Sequence, residues 1–285
     1  ELFLLHKMTM FEMDLWMSMA YFIEQQVDYC IIEAGMGGRL DATTALDYKA
    51  CLITNVGLDH TEYLGDTFEQ IAYEKSGVFK PNVPALTTED KPECQKVMEL
   101  VADYMKTPLC FIDCQETDVL RWNGMTFHLN PPLYQAKNLS LALETLNVLG
   151  IWLEENEIQQ VIDHFQWAGR YMVLRKDPLV LLDGAHNVHG ITALIQSLKD
   201  FTGKIYFSVL KEKDAPHMIE LLQSISKDIT LVEISSARLY PLEELGYPII
   251  TVDELISRLL DTKEDSLLCG SLYYVGEVLE KWGNV

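Results

Sequence analysis

The sequence predicts an α/β protein of two domains, each built around a mostly parallel β-sheet. Short apolar runs alternate with stretches of helical periodicity along almost the whole chain. The alternation pauses at 167–178, where Gly, Pro and basic residues gather, and then it restarts. The length of 285 residues also suits two hydrophobic cores better than one.

The first half of the chain contains three short apolar runs that we interpret as strands. Uninterrupted apolar character is typical of strands that helices cover on both faces. We expect these strands at 28–35, 50–57 and 83–88. Between short alternating runs, the pair Asn123 and Gly124 predicts the turn of a β-hairpin.

Helices are predicted between these strands. Residues 10–26 are apolar on most sides, which is typical of a buried helix. Asp66 and Glu69 have the spacing of a capping box, and Gly77 ends the helix that they begin. The remaining helices of this half are expected over 91–106, 136–149 and 154–165.

The segment 167–178 is interpreted as the connection between the domains. Beyond it we expect strands at 179–183, 204–209, 229–234, 248–251 and 266–270, and a last helix over 272–282. Repeated βα units give parallel strands, and ligands bind beyond the carboxyl ends of such strands. The residues that follow each strand are therefore the candidates for function.

Composition argues against several classes of protein. With 22 Lys and Arg against 43 Asp and Glu, the net charge of −21 repels nucleic-acid backbones. No uncharged run reaches the roughly 18 residues of a membrane span, and no basic stretch followed by an apolar one comes after Glu1, so we expect no signal peptide. Cys30, Cys51 and Cys269 lie in apolar runs, where buried thiols of a reducing compartment are expected. We therefore expect a cytoplasmic, monomeric protein that binds small molecules.

Two segments of the first half place polar residues after predicted strands. Residues 33–41 combine glycines, which allow a tight turn, with the carboxylates of Glu33 and Asp41, which hard cations prefer as ligands. After the next strand, Asp59 and His60 could join Glu33 at a metal ion, although a lone histidine is more often structural. The glycines are also compatible with dinucleotide binding, but Leu40 stands where that motif needs glycine.

Two further positions leave their chemistry open. Lys75 lies near the end of its helix, where a lysine complements the helix dipole, or it turns inward and is modified. Asp183 and His186 follow a strand and precede a helix, with Asn187 as a possible N-cap. These two side chains could bind a ligand or exchange protons, so hydrolysis, ligation and binding all remain open.

In combination, these segments resemble folylpolyglutamate synthase and dihydrofolate synthase, within the Mur ligase family of ATP-dependent amide-forming enzymes. The resemblance covers essentially the whole chain. Its motifs, in order, are TMFE (9–12), EAGMGGRLDATT (33–44), TNVGLDHTEYLGDT (54–67), EKSGVFKPNVPALT (74–87), Gln135 with Asn138, AGRY (168–171) and LDGAHNVHG (182–190). It implies a central ATPase domain of P-loop type over 1–168 and a Rossmann-like glutamate-ligase domain over 169–285.

The resemblance implies roles for individual residues. Glu33 and His60 resemble magnesium ligands, in a site expected to take two ions. Lys75 matches the lysine that the family carbamylates, a catalytic position. The stretch that contacts the pterin side of the substrate matches Thr9, Met10, Phe11, Glu12 and Leu40.

The residues of the second half match the nucleotide and glutamate sites. Asn138, Arg170 and Asp183 align with residues that hold ATP, and a guanidinium suits phosphate oxygens. His186 resembles the residue near the incoming glutamate, so Asp183 and His186 are expected to be catalytic. The implied reaction joins L-glutamate to a carboxylate of a folate or dihydropteroate through an acyl phosphate that ATP supplies.

One departure from the family is large. Its nucleotide-binding loop, which ends in Gly-Lys-Ser/Thr, does not occur in this chain and would precede residue 1. We therefore expect an N-terminally truncated ligase that is inactive alone. Two alternatives are a scaffold protein that lost its ATP loop and, less favoured, an NAD-dependent oxidoreductase, which would quench nicotinamide fluorescence on binding.

Overall fold

The computed structural model describes residues 7–130, 132–198 and 200–283. The described residues form helices and parallel strands in alternation, which confirms the predicted α/β class. No described helix has the length and apolar character that crossing a membrane would require.

Contacts divide the chain into two compact units. The first comprises Glu1–Gln115 and Lys137–Trp152, and the second comprises Glu116–Ala136 and Leu153–Val285. The second unit thus includes two segments that precede the boundary predicted after residue 168. The domain boundary between residues 168 and 169 stays a prediction.

The first unit contains a three-stranded parallel sheet in the order β1-β2-β3. Its strands are β1 (Cys51–Ile53), β2 (Ala85–Thr87) and β3 (Leu109–Phe111). Its helices are α1 (Met10–Gln25), α2 (Thr61–Leu64), α3 (Phe68–Ser76), α4 (Pro92–Met105) and α5 (Gln135–Val148). Apolar side chains of the strands, α3 and α4 pack into one buried cluster, which fixes the loops that follow β1 and β2.

Two predictions about the start of the chain are wrong. Helix α1 forms as expected, but none of its residues is buried. Its chief neighbour is the 3-10 helix Ala42–Ala45, so apolar side chains on its other sides stay exposed. Residues 28–35 form no strand, and Ile31 is 95% exposed and Cys30 is exposed. An apolar run becomes a buried strand only where neighbouring strands complete its hydrogen bonds, and the described sheet begins at β1.

The capping box of α3 lies one residue later than predicted. The Thr67 hydroxyl accepts a hydrogen bond from the Gln70 backbone N–H at 3.3 Å, and the Gln70 side chain accepts one from Thr67 N–H at 3.2 Å. The predicted pair, Asp66 with Glu69, and the observed pair, Thr67 with Gln70, both have the spacing of a capping box. Thr67 has the extended backbone conformation of an N-cap, so it begins the helix. Gly77 caps the carboxyl end of the helix, as predicted.

The second unit is built on a six-stranded sheet in the order β10-β9-β8-β11-β7-β6. Its strands are β6 (Met172–Lys176), β7 (Leu179–Leu182), β8 (Lys204–Phe207), β9 (Ile229–Glu233), β10 (Ile249–Thr251) and β11 (Ser266–Cys269). All neighbouring pairs are parallel except β6 with β7. The mostly parallel sheet predicted for this half is therefore confirmed.

The segment 167–178 is more than a connection, which corrects its interpretation. Residues 172–176 form the edge strand β6, and a turn through Asp177 and Pro178 returns the chain into β7. Because such a short turn can join only antiparallel neighbours, β6 runs opposite to the rest of the sheet.

The remaining elements of the second unit are a hairpin and five helices. A two-stranded hairpin, β4 (Val119–Trp122) with β5 (Met125–His128), turns at Asn123 and Gly124, both with positive φ, as predicted. The helices are α6 (Glu155–His164), α7 (Val188–Ser197), α8 (Ala215–Leu222), α9 (Val252–Asp261) and α10 (Leu272–Trp282). Two separate apolar clusters, one on each face of the sheet, form the core.

Two glycines of the second unit should respond oppositely to alanine substitution. Gly276 lies exposed in α10, and an added Cβ would meet nothing within 4 Å. Gly276→Ala should raise the free energy of unfolding by about 0.5–1 kcal/mol. Gly270 has φ +117°, and a Cβ there would lie 2.3 Å from the Ser208 carbonyl oxygen. Gly270→Ala should lower the free energy by about 2 kcal/mol or more in urea unfolding, and shifts of equal sign would contradict this account.

Candidate functional site

The glycine-rich loop of residues 35–41 is closed by the carboxylate of Asp41. Its Oδ2 accepts hydrogen bonds from the backbone N–H groups of Gly35 (2.9 Å) and Met36 (3.0 Å). Its Oδ1 accepts from Thr43 N–H (3.0 Å) and the Thr43 hydroxyl (2.6 Å). Partial burial would raise the pKa of the Asp41 carboxyl, but the bonds from Thr43, Met36 and Gly35 lower it below its usual value. The loop is therefore held by an ionised side chain of its own.

This glycine-rich loop packs directly on the carboxyl end of α3. A Cβ on Gly38 would lie 2.8 Å from the Lys75 carbonyl oxygen, and one on Gly77 would lie 2.2 Å from Arg39 Cα. The backbones can approach this closely only because both positions lack a side chain. The Arg39 guanidinium also pairs with Glu74 at 2.8 Å. Residues 33–41 and Lys75 are thereby brought to one place.

Lys75 lies beside two carboxylates in this region. Burial lowers the pKa of the Lys75 ammonium below its usual value, and the negative charges of Asp59 and Glu33 oppose part of that effect. We call Glu33, Asp59 and Lys75 the carboxylate–lysine cluster. The structure thus brings Glu33 and Asp59, two of the three residues weighed as partners at a metal ion, together with Lys75.

His60, the other predicted magnesium ligand, follows Asp59 directly. Its side chain is exposed, and its backbone has φ +53° at the start of α2. The His60 N–H donates a hydrogen bond to Asp59 Oδ1 at 2.9 Å, which fixes the backbone between the two side chains. Among the described residues, no three His, Cys, Asp or Glu side chains form a ready metal-binding group. Magnesium ligation by Glu33 and His60 therefore stays a prediction.

The stretch predicted to contact the pterin lies against the glycine-rich loop through one side chain. The Phe11 ring packs on Gly35, where a Cβ would lie 2.9 Å from its edge. Met10 (66%) and Leu40 (81%) are largely exposed. Thr9 and Glu12 form the capping box of α1, with Thr9 N–H donating to Glu12 Oε2 at 2.7 Å. Thr9 and Glu12 therefore have a structural role as the cap of α1. Phe11 and Leu40 present apolar surface at the glycine-rich loop.

The geometry of the glycine-rich loop does not support the oxidoreductase alternative. A dinucleotide-binding glycine motif joins a strand to an α-helix, whose N-terminus receives the pyrophosphate. Here no strand precedes the loop within the described residues, and a 3-10 helix of four residues, Ala42–Ala45, follows it.

Asn138 also belongs to the first unit, on the first turns of α5. Its side chain is exposed, and the neighbouring Lys137 pairs with Asp90 at 2.7 Å. The predicted ATP contact of Asn138 stays a prediction.

In the second unit, Asp183 follows β7 and ties three segments together. Its Oδ2 accepts a hydrogen bond from Tyr171 N–H and its Oδ1 accepts one from Ala185 N–H, both at 2.7 Å. Burial raises the pKa of the Asp183 carboxyl, and these two bonds together with the nearby Arg170 and His186 oppose that rise. A buried acid at the end of a parallel strand is a typical position for a functional carboxylate.

Arg170 and His186 lie beside Asp183, as the motifs AGRY and DGAHN predict. A Cβ on Gly184 would lie 2.5 Å from Arg170 Nη1, so glycine makes room for the guanidinium there. The Gly184 N–H donates to the Gly169 carbonyl at 2.7 Å, which joins the two motifs. His186 Nδ1 lies 2.8 Å from the Gly184 carbonyl, and Asn187 caps α7 as expected.

The structure adds one interaction and one residue to the predicted sites. The sequence predicts Asp59 only as a possible partner of Glu33 and His60 at a metal ion, because its proximity to Lys75 depends on the packing of separate segments. Tyr134 interacts electrostatically with Asp183 and Arg170, and burial raises its pKa to about 12. No spacing or motif in the sequence singles out Tyr134, so only the fold reveals it.

Comparison with known proteins supports the resemblance seen in the sequence. The Mur ligase middle domain family matches residues 5–129. A dihydrofolate synthase/folylpolyglutamate synthase of Bacillus subtilis is 28% identical, over 96% of this chain and 72% of the relative. The corresponding protein of Buchnera aphidicola from Schizaphis graminum is 32% identical, over 76% of this chain and 54% of its own length. The chain thus spans between about half and three quarters of these two relatives.

A solved structure shows the same fold. The bifunctional folylpolyglutamate synthase/dihydrofolate synthase of Yersinia pestis, in complex with AMPPNP and a manganese ion, superposes with a TM-score of 0.85. It is 25% identical, and the match covers 97% of this chain and 72% of the Yersinia chain. The predicted resemblance and fold are confirmed by these matches.

The raised pKa of Asp183 predicts a pH-dependent difference between the wild type and Asp183→Asn. Below the usual value of 3.8 the carboxyl is protonated in both folded and unfolded chains. As the pH rises through the higher pKa of the folded state, ionisation favours the unfolded chain, and this part of the stability is lost. The free energy of unfolding of the wild type relative to Asp183→Asn should therefore fall as the pH rises from about 4, measured by urea titration. A relative stability that rises over this range would contradict the assignment.

Proposed function

Because residues 5–129 match the Mur ligase middle domain and nearly the whole chain resembles the folylpolyglutamate and dihydrofolate synthases, we propose that it supplies site residues for their glutamate-ligating chemistry, which the sequence predicts to require the family's nucleotide-binding loop as well. The reaction is the ATP-dependent joining of L-glutamate to a carboxylate of a folate or of dihydropteroate. The observation that carries the proposal is the carboxylate–lysine cluster beside the glycine-rich loop. We also propose that the protein acts in the cytoplasm as a monomer.

The first unit would hold a divalent metal ion, for which we propose Mg²⁺, with two ions in the complete site. Glu33 offers carboxylate oxygens and His60 an imidazole nitrogen, and Asp59 adds a further carboxylate beside Lys75. Oxygen-rich donor sets suit Mg²⁺, which commonly completes its shell with phosphate oxygens and water. When bound, the ion would neutralise negative charge on the phosphates of ATP.

Lys75 is suited to carbamylation because its environment favours the neutral amine. Burial lowers its pKa, which increases the fraction of neutral amine available at a given pH. We propose that the ammonium first loses one proton and that the neutral nitrogen then bonds to the carbon of CO2 and releases a second proton, which leaves an anionic carbamate with two oxygens. The carbamate would then support the metal site from the side of α3.

The second unit supplies fixed charges for the nucleotide and the amino acid. The guanidinium of Arg170 presents a fork of donors that matches phosphate oxygens. Two backbone N–H groups hold the Asp183 carboxylate in one orientation, so it can accept hydrogen bonds from a ligand without rearranging. We propose that Arg170 and Asp183 bind ATP and that His186 lies near the incoming glutamate. For Asn138, in the first unit, we propose an ATP contact on the strength of the family resemblance alone.

The chemistry proceeds in two steps. The γ-phosphoryl group passes from ATP to an oxygen of the substrate carboxylate, which forms an acyl phosphate and releases ADP. The amine of L-glutamate then attacks the acyl carbon, and the tetrahedral intermediate loses phosphate and a proton to leave an amide. At the substrate end, Phe11 and Leu40 would contact the pterin, since both present apolar surface beside the glycine-rich loop.

A phosphate-release assay tests this function and the choice of substrate. Protein expressed from the complete open reading frame is incubated with ATP, Mg²⁺ and L-glutamate, and with either dihydropteroate or tetrahydrofolate. We expect release of inorganic phosphate that requires both the acceptor and L-glutamate, with the amide product detected by mass spectrometry. Release that is independent of both acceptors would contradict the proposal, and the ratio of the two rates gives the substrate preference.

Replacing Lys75 tests the carbamate. Lys75→Ala should lower the rate of ligation by at least about 100-fold, because the anion that supports the metal site is lost. Small carboxylates such as acetate should restore part of the activity by occupying the vacated space. Lys96→Ala is the matched control, since Lys96 is exposed on α4. An unchanged rate in Lys75→Ala, or the absence of any rescue, would argue against a carbamate at this position.

A further inference from the structure

A buried carboxylate lies at the carboxyl ends of β1 and β2, outside the residues that the proposed reaction uses. The Glu89 side chain is 0% exposed. Burying an ionised carboxylate is costly unless hydrogen bonds or an opposite charge compensate for the lost hydration. Its surroundings therefore indicate what it stabilises.

Both carboxylate oxygens of Glu89 accept hydrogen bonds from nitrogen. Oε2 accepts the backbone N–H of Val56. Oε1 accepts the backbone N–H of Lys91 at 2.8 Å and the Lys91 ammonium at 3.2 Å. Because every neighbour in this set is a donor, the arrangement suits the ionised form, which only accepts.

Glu89 is itself held from several sides. Its backbone N–H donates to the Thr87 hydroxyl at 3.0 Å, and its carbonyl accepts the Gln95 side-chain amide at 2.8 Å. The Lys91 ammonium, which pairs with Glu89, also lies 5.4 Å from the centre of the Phe68 ring. The Glu89 backbone is thus held to β2 and α4, and its partner Lys91 contacts α3.

The contact with Val56 reaches the loop of residues 54–60, which carries Asp59 and His60. Val56 is fully buried, and its N–H lies three residues before Asp59. A second bond reinforces the junction, since the Thr88 hydroxyl donates to the Thr54 carbonyl at 2.7 Å. Two adjacent residues after β2 therefore hold the base of the 54–60 loop, while Asp59, near the other end of the loop, interacts electrostatically with Lys75.

We propose that Glu89 is a positioning residue that fixes the 54–60 loop, so that Asp59 stays at the carboxylate–lysine cluster with His60 next to it in the chain. It acts through the backbone of Val56 and not through contact with a substrate. The consequence for metal binding rests on the function proposed above, whereas the consequence for the loop does not. A carboxylate is needed because one side chain must accept from two backbone N–H groups that face it from different segments.

The isosteric substitution Glu89→Gln tests the proposal. The amide has one accepting oxygen, so its NH2 group must face the N–H of either Val56 or Lys91. Amide hydrogen exchange by mass spectrometry should show exchange in peptides covering 54–60 that is faster by about 10-fold or more, with other core peptides unchanged. Glu99→Gln is the matched control, since Glu99 is exposed on α4. Unchanged exchange over 54–60, or equal acceleration throughout the first unit, would overturn the proposal.

A second variant and a second measurement keep the outcome decisive. Glu89→Asp keeps the charge but shortens the side chain by one methylene, so it should loosen the same loop even if Glu89→Gln does not fold. Binding of Mn²⁺ in the presence of ATP, followed by electron paramagnetic resonance of the free ion, should weaken several-fold in the variants. If the wild type takes up no Mn²⁺ under these conditions, the proposed metal function fails, and hydrogen exchange still decides the role of Glu89.

Discussion

The candidate site of the first unit depends on one close contact between two stretches of backbone. Gly38 lies against the Lys75 carbonyl and Gly77 lies against Arg39, at separations that no side chain would permit. This contact joins the glycine-rich loop to the end of α3 although about forty residues of chain separate them. The proximity of Glu33 to Lys75 follows from it, because Glu33 immediately precedes the loop and Lys75 ends the helix.

In both units, carboxylate side chains hold irregular segments of the chain in place. Asp41 closes the glycine-rich loop, Glu89 holds the base of the 54–60 loop, and Asp183 joins Tyr171 to Ala185. In each case the carboxylate accepts backbone N–H groups that belong to irregular segments, which have no ladder to satisfy them. A chain with net charge −21 therefore uses part of its negative charge to shape its loops.

The predictions were wrong where a strand or the burial of a helix depends on contacts with distant segments of the chain. The apolar run at 28–35 has the composition of a buried strand, yet Ile31 is almost fully exposed because no described strand pairs with it. Helix α1 formed from its periodicity and its Thr9 cap, but its burial did not follow. Local propensity and capping act within a few residues, whereas burial requires distant segments of the chain. Strand β6 is not predicted for a related reason. It lies at the edge of the sheet and depends on pairing with β7, and the composition of 167–178 does not reveal that pairing.

The sequence by itself determined most of the alternation of strands and helices and the mostly parallel sheet of the second unit, which follow from short-range periodicity and turn chemistry. Its resemblance to the ligase family pointed to Glu33, Lys75, Arg170 and Asp183. Only the tertiary structure decided that Asp59 joins Glu33 at Lys75, that Tyr134 lies near Asp183 and that Glu89 holds the 54–60 loop. Such contacts arise from packing between segments far apart in sequence, and a linear pattern contains no signal for distances set by packing.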